Sequence, residues 1–174
     1  MNKEFNMELL AELFEENIKS VQLVLNVILK RTDITVLTAD VKRNFMPEAG
    51  YLLRIDIVAV DKKNKKYNIE IGFGNEKATH KITRCSDTII KTFSSIENRH
   101  NVVYMIYITG KDVIGEGLPI YHIETFIDEE DKTIDDGIHL IFVNGEISDD
   151  KTALGRLIHD FKCNTIDETE ILNC

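Results

Sequence analysis

The chain has 174 residues, of which 43% are hydrophobic and 29% charged, with nine glycines, two prolines and a formal net charge of −9. This is enough for one domain with a real core and too little for two, and it excludes collagen-like and proline-rich disordered chains. An overall acidic balance also argues against a protein that coats nucleic acid through bulk charge. No apolar run approaches the roughly 18 residues of a membrane span, and the acidic start MNKEFNMELLAELFEEN lacks the basic and apolar regions of a secretory signal. The three cysteines, Cys85, Cys163 and Cys174, have no CxxC spacing, which speaks against a disulfide framework or structural zinc and for a soluble protein of the reducing cytoplasm.

Leu9, Leu10, Leu13, Phe14, Ile18, Val21, Leu25, Ile28 and Leu29 recur at three- and four-residue steps and predict one long amphipathic helix over 7–30. A short strand, ITVLT at 34–38, precedes VKRNFMPEAG, which ends in a Pro/Gly turn. A hairpin comes next: YLLRIDIVAV (51–60), the polar turn DKKNKK (61–66) and the strictly alternating YNIEIGF (67–73). A helix is predicted over about 77–95. VVYMIYITG (102–110) reads as a strand inside a sheet, IYHIETFI (120–127) and GIHLIFVNG (137–145) as further strands, and 151–161 as a short helix. The order predicts a single α/β or α+β domain with a mixed sheet, its core spanning about 7–161 and a polar tail at 162–174.

Charge is unevenly spread. Residues 112–150 hold 12 acids and one base, whereas 62–99 hold nine bases and four acids, a basic centre able to meet phosphate. Within the hairpin, Asp56 and Glu70 are charges set in apolar strands. Side chains alternate along each strand, so Arg54, Asp56 and Val58 share one face, and Asn68, Glu70 and Gly72 share a face of the return strand. With the turn centred on Lys63, Asp56 and Glu70 become direct cross-strand partners, which requires a three- or five-residue loop or a bulge. Facing carboxylates repel unless a cation lies between them, and oxygen ligands of this kind suit Mg²⁺ or Mn²⁺. The plainer reading is an exposed sheet face on which Asp56 pairs with Arg54 or a lysine.

RIDIVAVDKKNKKYNIEIG closely resembles the core of the PD-(D/E)XK nuclease family transposases, the recombination-promoting nuclease type. LFEENIKSVQLVLNVILKRTDITV is similar to that family's N-terminal helix and first strand, VVYMIYITGKDVIGEGLPIYHIETF to its central strand and the segment after it, and DDGIHLIFVNGEISDDKTALGRLIHDFKCN to its C-terminal block. The resemblance implies a restriction-endonuclease-like mixed β-sheet flanked by helices, and metal-dependent hydrolysis of DNA phosphodiesters. It assigns Asp56 and Glu70 as metal ligands, with the backbone carbonyl of Ile71 as a third and Glu15 or Glu16 as candidates to complete the shell. DNA is the implied partner and no membrane is; homo-oligomerisation stays open.

One departure bears on catalysis. The family places Lys or Gln two residues after the Glu, where it can orient water or stabilise developing charge. This chain has Gly72 there, and in the next helix it keeps only Lys81 and Arg84 of an arginine-rich pattern. Lys81 or Arg84, or Lys77 beside them, are the candidates to supply the cation. The alternative is a non-catalytic descendant that binds DNA or a protein.

Other signals carry less. GKDVIGEG has Glu116 where a phosphate-binding loop needs lysine, GFGNEK lacks a third glycine, and DEEDKTIDDG reads as a solvated turn, not a calcium loop. No histidine pair has HxxxH spacing; His122 and His139 read as core or edge residues, and Cys85 and Cys163 lack an activating triad.

Overall fold

The structure, a computed structural model, describes residues 4–46, 51–74, 80 and 102–172. It opens with two helices in place of the single one expected. α1 (Met7–Phe14) is capped by Asn6, whose side chain accepts from Leu9 N, and α2 (Ile18–Leu29) by Asn17, which accepts from Ser20 N. Between them Glu16 adopts a left-handed φ of 55°. Each asparagine satisfies an N–H that a helix start leaves open, so the chain can restart after the break. The apolar periodicity runs through the interruption because both helices bury the same kind of stripe, including Leu10, Phe14, Val21 and Leu25.

In chain order the strands are β1 (Val36–Met46), β2 (Tyr51–Asp61), β3 (Lys66–Gly72), β4 (Val103–Thr109), β5 (Ile120–Ile123), β6 (Thr125–Ile127), β7 (Lys132–Ile134) and β8 (Ile138–Asn144), followed by helix α3 (Ala153–Asp160). Six of them form one mixed sheet in the order β1-β2-β3-β4-β8-β5, while β6 and β7 make a separate two-stranded ribbon. β1, β2 and β3 are antiparallel neighbours, β3, β4 and β8 run parallel, and β5 closes the far edge antiparallel to β8. The domain is thus mixed α/β, as the element order predicts. The predicted helix at 77–95, in the connection from β3 to β4, lies outside the described residues.

Three strand predictions change. β1 runs through VKRNFM to Met46, well past the expected stop at 38, because Ala39 and Val41 continue the alternation opposite Ala59 and Ile57. IYHIETFI is two strands, not one: β5 pairs with β8, and after Glu124 β6 leaves the main sheet to pair with β7. The acidic loop before β8 holds a 3₁₀ turn at Asp128–Glu130 as well as β7, and its side chains are exposed.

The two sheet faces differ. One carries Ile55, Ile57, Ile69, Ile71, Ile106, Ile108, Ile141 and Val143 against the apolar sides of α1, α2 and α3, forming the main core. Phe5, Cys163 and Leu172 also belong to it, so the segment after α3 is packed despite its polar sequence. Asp160 explains how. Its fully buried carboxylate accepts from the backbone N–H groups of Glu170, Ile171 and Leu172 at 2.8, 2.8 and 2.9 Å, folding the tail back on α3. The other sheet face holds a smaller cluster of Val103, Met105, Tyr107, Leu140 and Phe142. Among the described residues no helix is long and apolar enough to cross a membrane.

The register of the central hairpin is fixed by a buried acid. Asp61, 3% exposed, accepts from Lys63 N and Lys65 N and from the Tyr67 hydroxyl at 2.8 Å. Burial, and then the bond to Asp61, hold the Tyr67 hydroxyl protonated well above the usual phenol range. Removing that hydroxyl leaves the buried carboxylate short of a donor. Tyr67→Phe is therefore expected to destabilise the protein by about 1–3 kcal/mol in chemical denaturation, with little change in the denaturant slope.

Candidate functional site

The β2–β3 hairpin closes where Asp61 N donates to Lys65 O, leaving a three-residue loop, 62–64, in which Asn64 takes a left-handed φ of 58°. A left-handed residue at the end of a three-residue loop is the favoured geometry for such a hairpin. The loop length sets every pair below it. Asp56 stands directly across from Glu70, and Arg54 directly across from Gly72. Because the core face is taken by Ile55, Ile57, Ile69 and Ile71, both acids project from the opposite face.

Asp56 and Glu70 line a cleft of about 290 Å³ together with Arg54, Val58, Asn68, Met105 and Tyr107. It lies where the charged β2–β3 half of this face meets the apolar β4 half. Glu70 is the more enclosed acid, its side chain 16% exposed against 31% for Asp56. The guanidinium of Arg54 lies between the two. Its Nε is 2.8 Å from Asp56 Oδ1, its Nη2 donates to Asp56 Oδ2 at 2.9 Å, and its Nη1 is 3.6 Å from Glu70 Oε2. Asn44, which faces Arg54 from β1, donates to Asp56 Oδ2 at 2.8 Å. One charge-assisted hydrogen bond, from Nη2, thus joins Arg54 to Asp56, with Nε in ion-pair range of the other carboxylate oxygen.

The hairpin thus brings together the two acids that the sequence pairs, and the cation between them in this structure is an arginine. Ile71 follows Glu70 on β3 with its side chain in the core, its backbone running between β2 and β4. Lys77, Lys81 and Arg84 lie outside the described residues. Neither N-terminal acid is among the residues of the cleft. Glu15 is ion-paired to Arg43, which stands opposite Ile55 and so on the core side of the sheet, away from Asp56. Glu16 occupies the exposed break between the helices.

Two contributors are not evident from sequence. Arg54 is offered there only as an ion-pair partner of Asp56, yet it also stands at the level of Gly72, where the glycine has no side chain to present. The signal is present, since the register that pairs 56 with 70 also pairs 54 with 72. Asn44 falls within the segment expected to lead into a turn, and it reaches Asp56 only because β1 is longer than its sequence suggests.

Comparison with protein-family models, with curated proteins and with solved structures finds no match to this chain.

As a donor set, two carboxylates meeting at a cleft fit a hard divalent cation. Without such a cation, Arg54 is what offsets the repulsion. A double-mutant cycle tests this in metal-free buffer. Arg54→Ala is expected to cost about 1–2 kcal/mol, after allowance for partial exposure. Combined with Asp56→Ala, the loss should fall short of the sum of the single losses by at least about 0.5 kcal/mol. Additive losses would show that the contact stabilises nothing.

Proposed function

We propose that the chain is a restriction-endonuclease-like domain of the transposase-associated PD-(D/E)XK type, and that Asp56 and Glu70 hold Mg²⁺ or Mn²⁺ for hydrolysis of DNA phosphodiesters. One observation carries the reading: the two acids that the resemblance assigns as metal ligands are direct cross-strand partners at a cleft, where both can reach one cation. The six-stranded mixed sheet with helices α1, α2 and α3 on one face supports it at a coarser level. When bound, the cation would polarise the phosphate and lower the pKa of a water molecule.

The residues of the chain have separable tasks in this reading. Asp56 and Glu70 supply hard oxygen ligands from adjacent strands, and Asn44 orients Asp56. Arg54 covers the acids in the resting state. It stands at the level of Gly72, where the family that the sequence resembles carries Lys or Gln, and would be placed there to meet a phosphate oxygen. Lys81 and Arg84 are the further candidates for that task, from the predicted helix that follows β3.

A specific observation favours a second reading. Arg54 and Asn44 both donate to Asp56 Oδ2, with Arg54 Nε in ion-pair range of Oδ1, and Gly72 presents no side chain where the resemblance expects a catalytic one. A domain locked in this way would bind DNA or a protein without cutting.

Supercoiled plasmid incubated with protein in Mg²⁺ and in Mn²⁺ separates the readings, using wild type beside Asp56→Ala, Arg54→Ala and Gly72→Gln. The nuclease reading predicts nicking by wild type that falls at least about 100-fold in Asp56→Ala and more modestly in Arg54→Ala. Silence from wild type with activity in Arg54→Ala or Gly72→Gln would mean an intact metal site that is blocked or lacks one group. Silence from all four proteins, each shown to be folded by circular dichroism, contradicts catalysis and leaves the binding module.

A further inference from the structure

Away from the cleft, several ligating side chains converge at the end of α3. Nδ1 of His159 lies 3.3 Å from Asp160 Oδ1, 3.8 Å from Cys163 Sγ and 3.9 Å from Glu170 Oε1. The His, Asp and Cys donor atoms all lie within 4.8 Å of one another. Three different side chains thus approach a single ring nitrogen. A Cys–His–Asp catalytic relay needs the thiol and the carboxylate on opposite nitrogens of the ring, so this arrangement is not a nucleophile triad.

The spacing suits a metal ion instead. Zinc bonds of roughly 2.0–2.1 Å to nitrogen or oxygen and 2.3 Å to sulfur, set at tetrahedral angles, place N and O about 3.3 Å apart and N and S about 3.6 Å apart. The His159–Asp160 and His159–Cys163 distances here are 3.3 and 3.8 Å. Glu170 Oε1, at 3.9 Å, has to move closer, and the Cys163 thiol, which now donates to His159 O and Glu168 O, has to turn its sulfur to the ion. The surroundings are built as well. Asp160 is fully buried, and its carboxylate is fixed by the backbone N–H groups of residues 170–172, the kind of outer support that orients metal ligands. Those same bonds carry Glu170 to the histidine. Cys163 is 3% exposed, whereas the side chain of His159 is 47% exposed and leaves a path from solvent.

The geometry points to a zinc-class metal site formed by His159, Asp160 and Cys163, with Glu170 as the fourth ligand. Sulfur and imidazole ligands select Zn²⁺ or Co²⁺ over Mg²⁺, so this site and the oxygen-only cleft take different ions. The bound ion joins the end of α3 to the tail through Glu170, and its binding free energy adds to folding stability. The site stands independently of the nuclease reading. Scans for CxxC and HxxxH pass over it because its ligands are of mixed type, although His159 and Cys163 keep a four-residue step.

Cobalt is the probe. A single equivalent of Co²⁺ added to the full chain should give the near-ultraviolet charge-transfer band of a cobalt–thiolate bond and the intense visible bands of tetrahedral geometry. Equimolar Zn²⁺ should abolish both. Cys163→Ser and His159→Gln should each lose the tetrahedral spectrum, and Asp56→Ala should keep it. The absence of a thiolate band in wild type overturns the site, as does a band that persists unchanged in His159→Gln. Should Cys163→Ser fail to fold, His159→Gln, at a half-exposed position, decides alone.

Discussion

The guanidinium of Arg54 lies between two carboxylates that would otherwise repel across a hairpin, and the register of that hairpin is what brings the three together. The pair exists because a three-residue loop, organised by the buried Asp61, sets Asp56 opposite Glu70. A one-residue slip of β3 against β2 would send Glu70 into the core and Ile69 and Ile71 to the other face. The core and the pairing of the acids are therefore specified by the same register. The isoleucines of the core face fix the face from which the acids project.

The sheet divides its work between its sides. Its centre is parallel and β4 is buried along its full length, with α1, α2 and α3 supplying the apolar cover on one side. On the other side, Met105 and Tyr107 form the apolar wall of a cleft whose second wall is polar. Such a boundary lowers the local dielectric around the acids and strengthens their interaction with any cation, guanidinium or metal. The segment after α3 follows a similar logic at smaller scale. One buried carboxylate, Asp160, collects three backbone N–H groups and holds a polar tail in place.

The elements most legible in the sequence are those whose pattern is local. Strict alternation in YNIEIGF marks β3 and, with the loop length, the register of the acids; a fully apolar run marks β4. The break between α1 and α2 is hidden because hydrophobic periodicity is blind to a cap, and only Asn17 three residues before Ser20 signals it. The extension of β1 is masked because Lys42, Arg43 and Asn44 look like loop residues until their partners on β2 are known. The departure of β6 from the main sheet depends on pairing with β7 and has no local mark. Within the site, the acids are readable from charge in an apolar setting. Arg54 opposite Gly72, and the convergence on His159, emerge only when segments distant in sequence are brought together.

The central claim is that Asp56 and Glu70 form a metal site that Arg54 covers at rest. It is tested most directly by titrating Mn²⁺ into wild type and Asp56→Ala while following thermal unfolding. A ligand that binds only the folded state raises the melting temperature by mass action. The account predicts a saturable rise in wild type that is absent in Asp56→Ala. No rise at millimolar Mn²⁺, or an equal rise in both proteins, would contradict it.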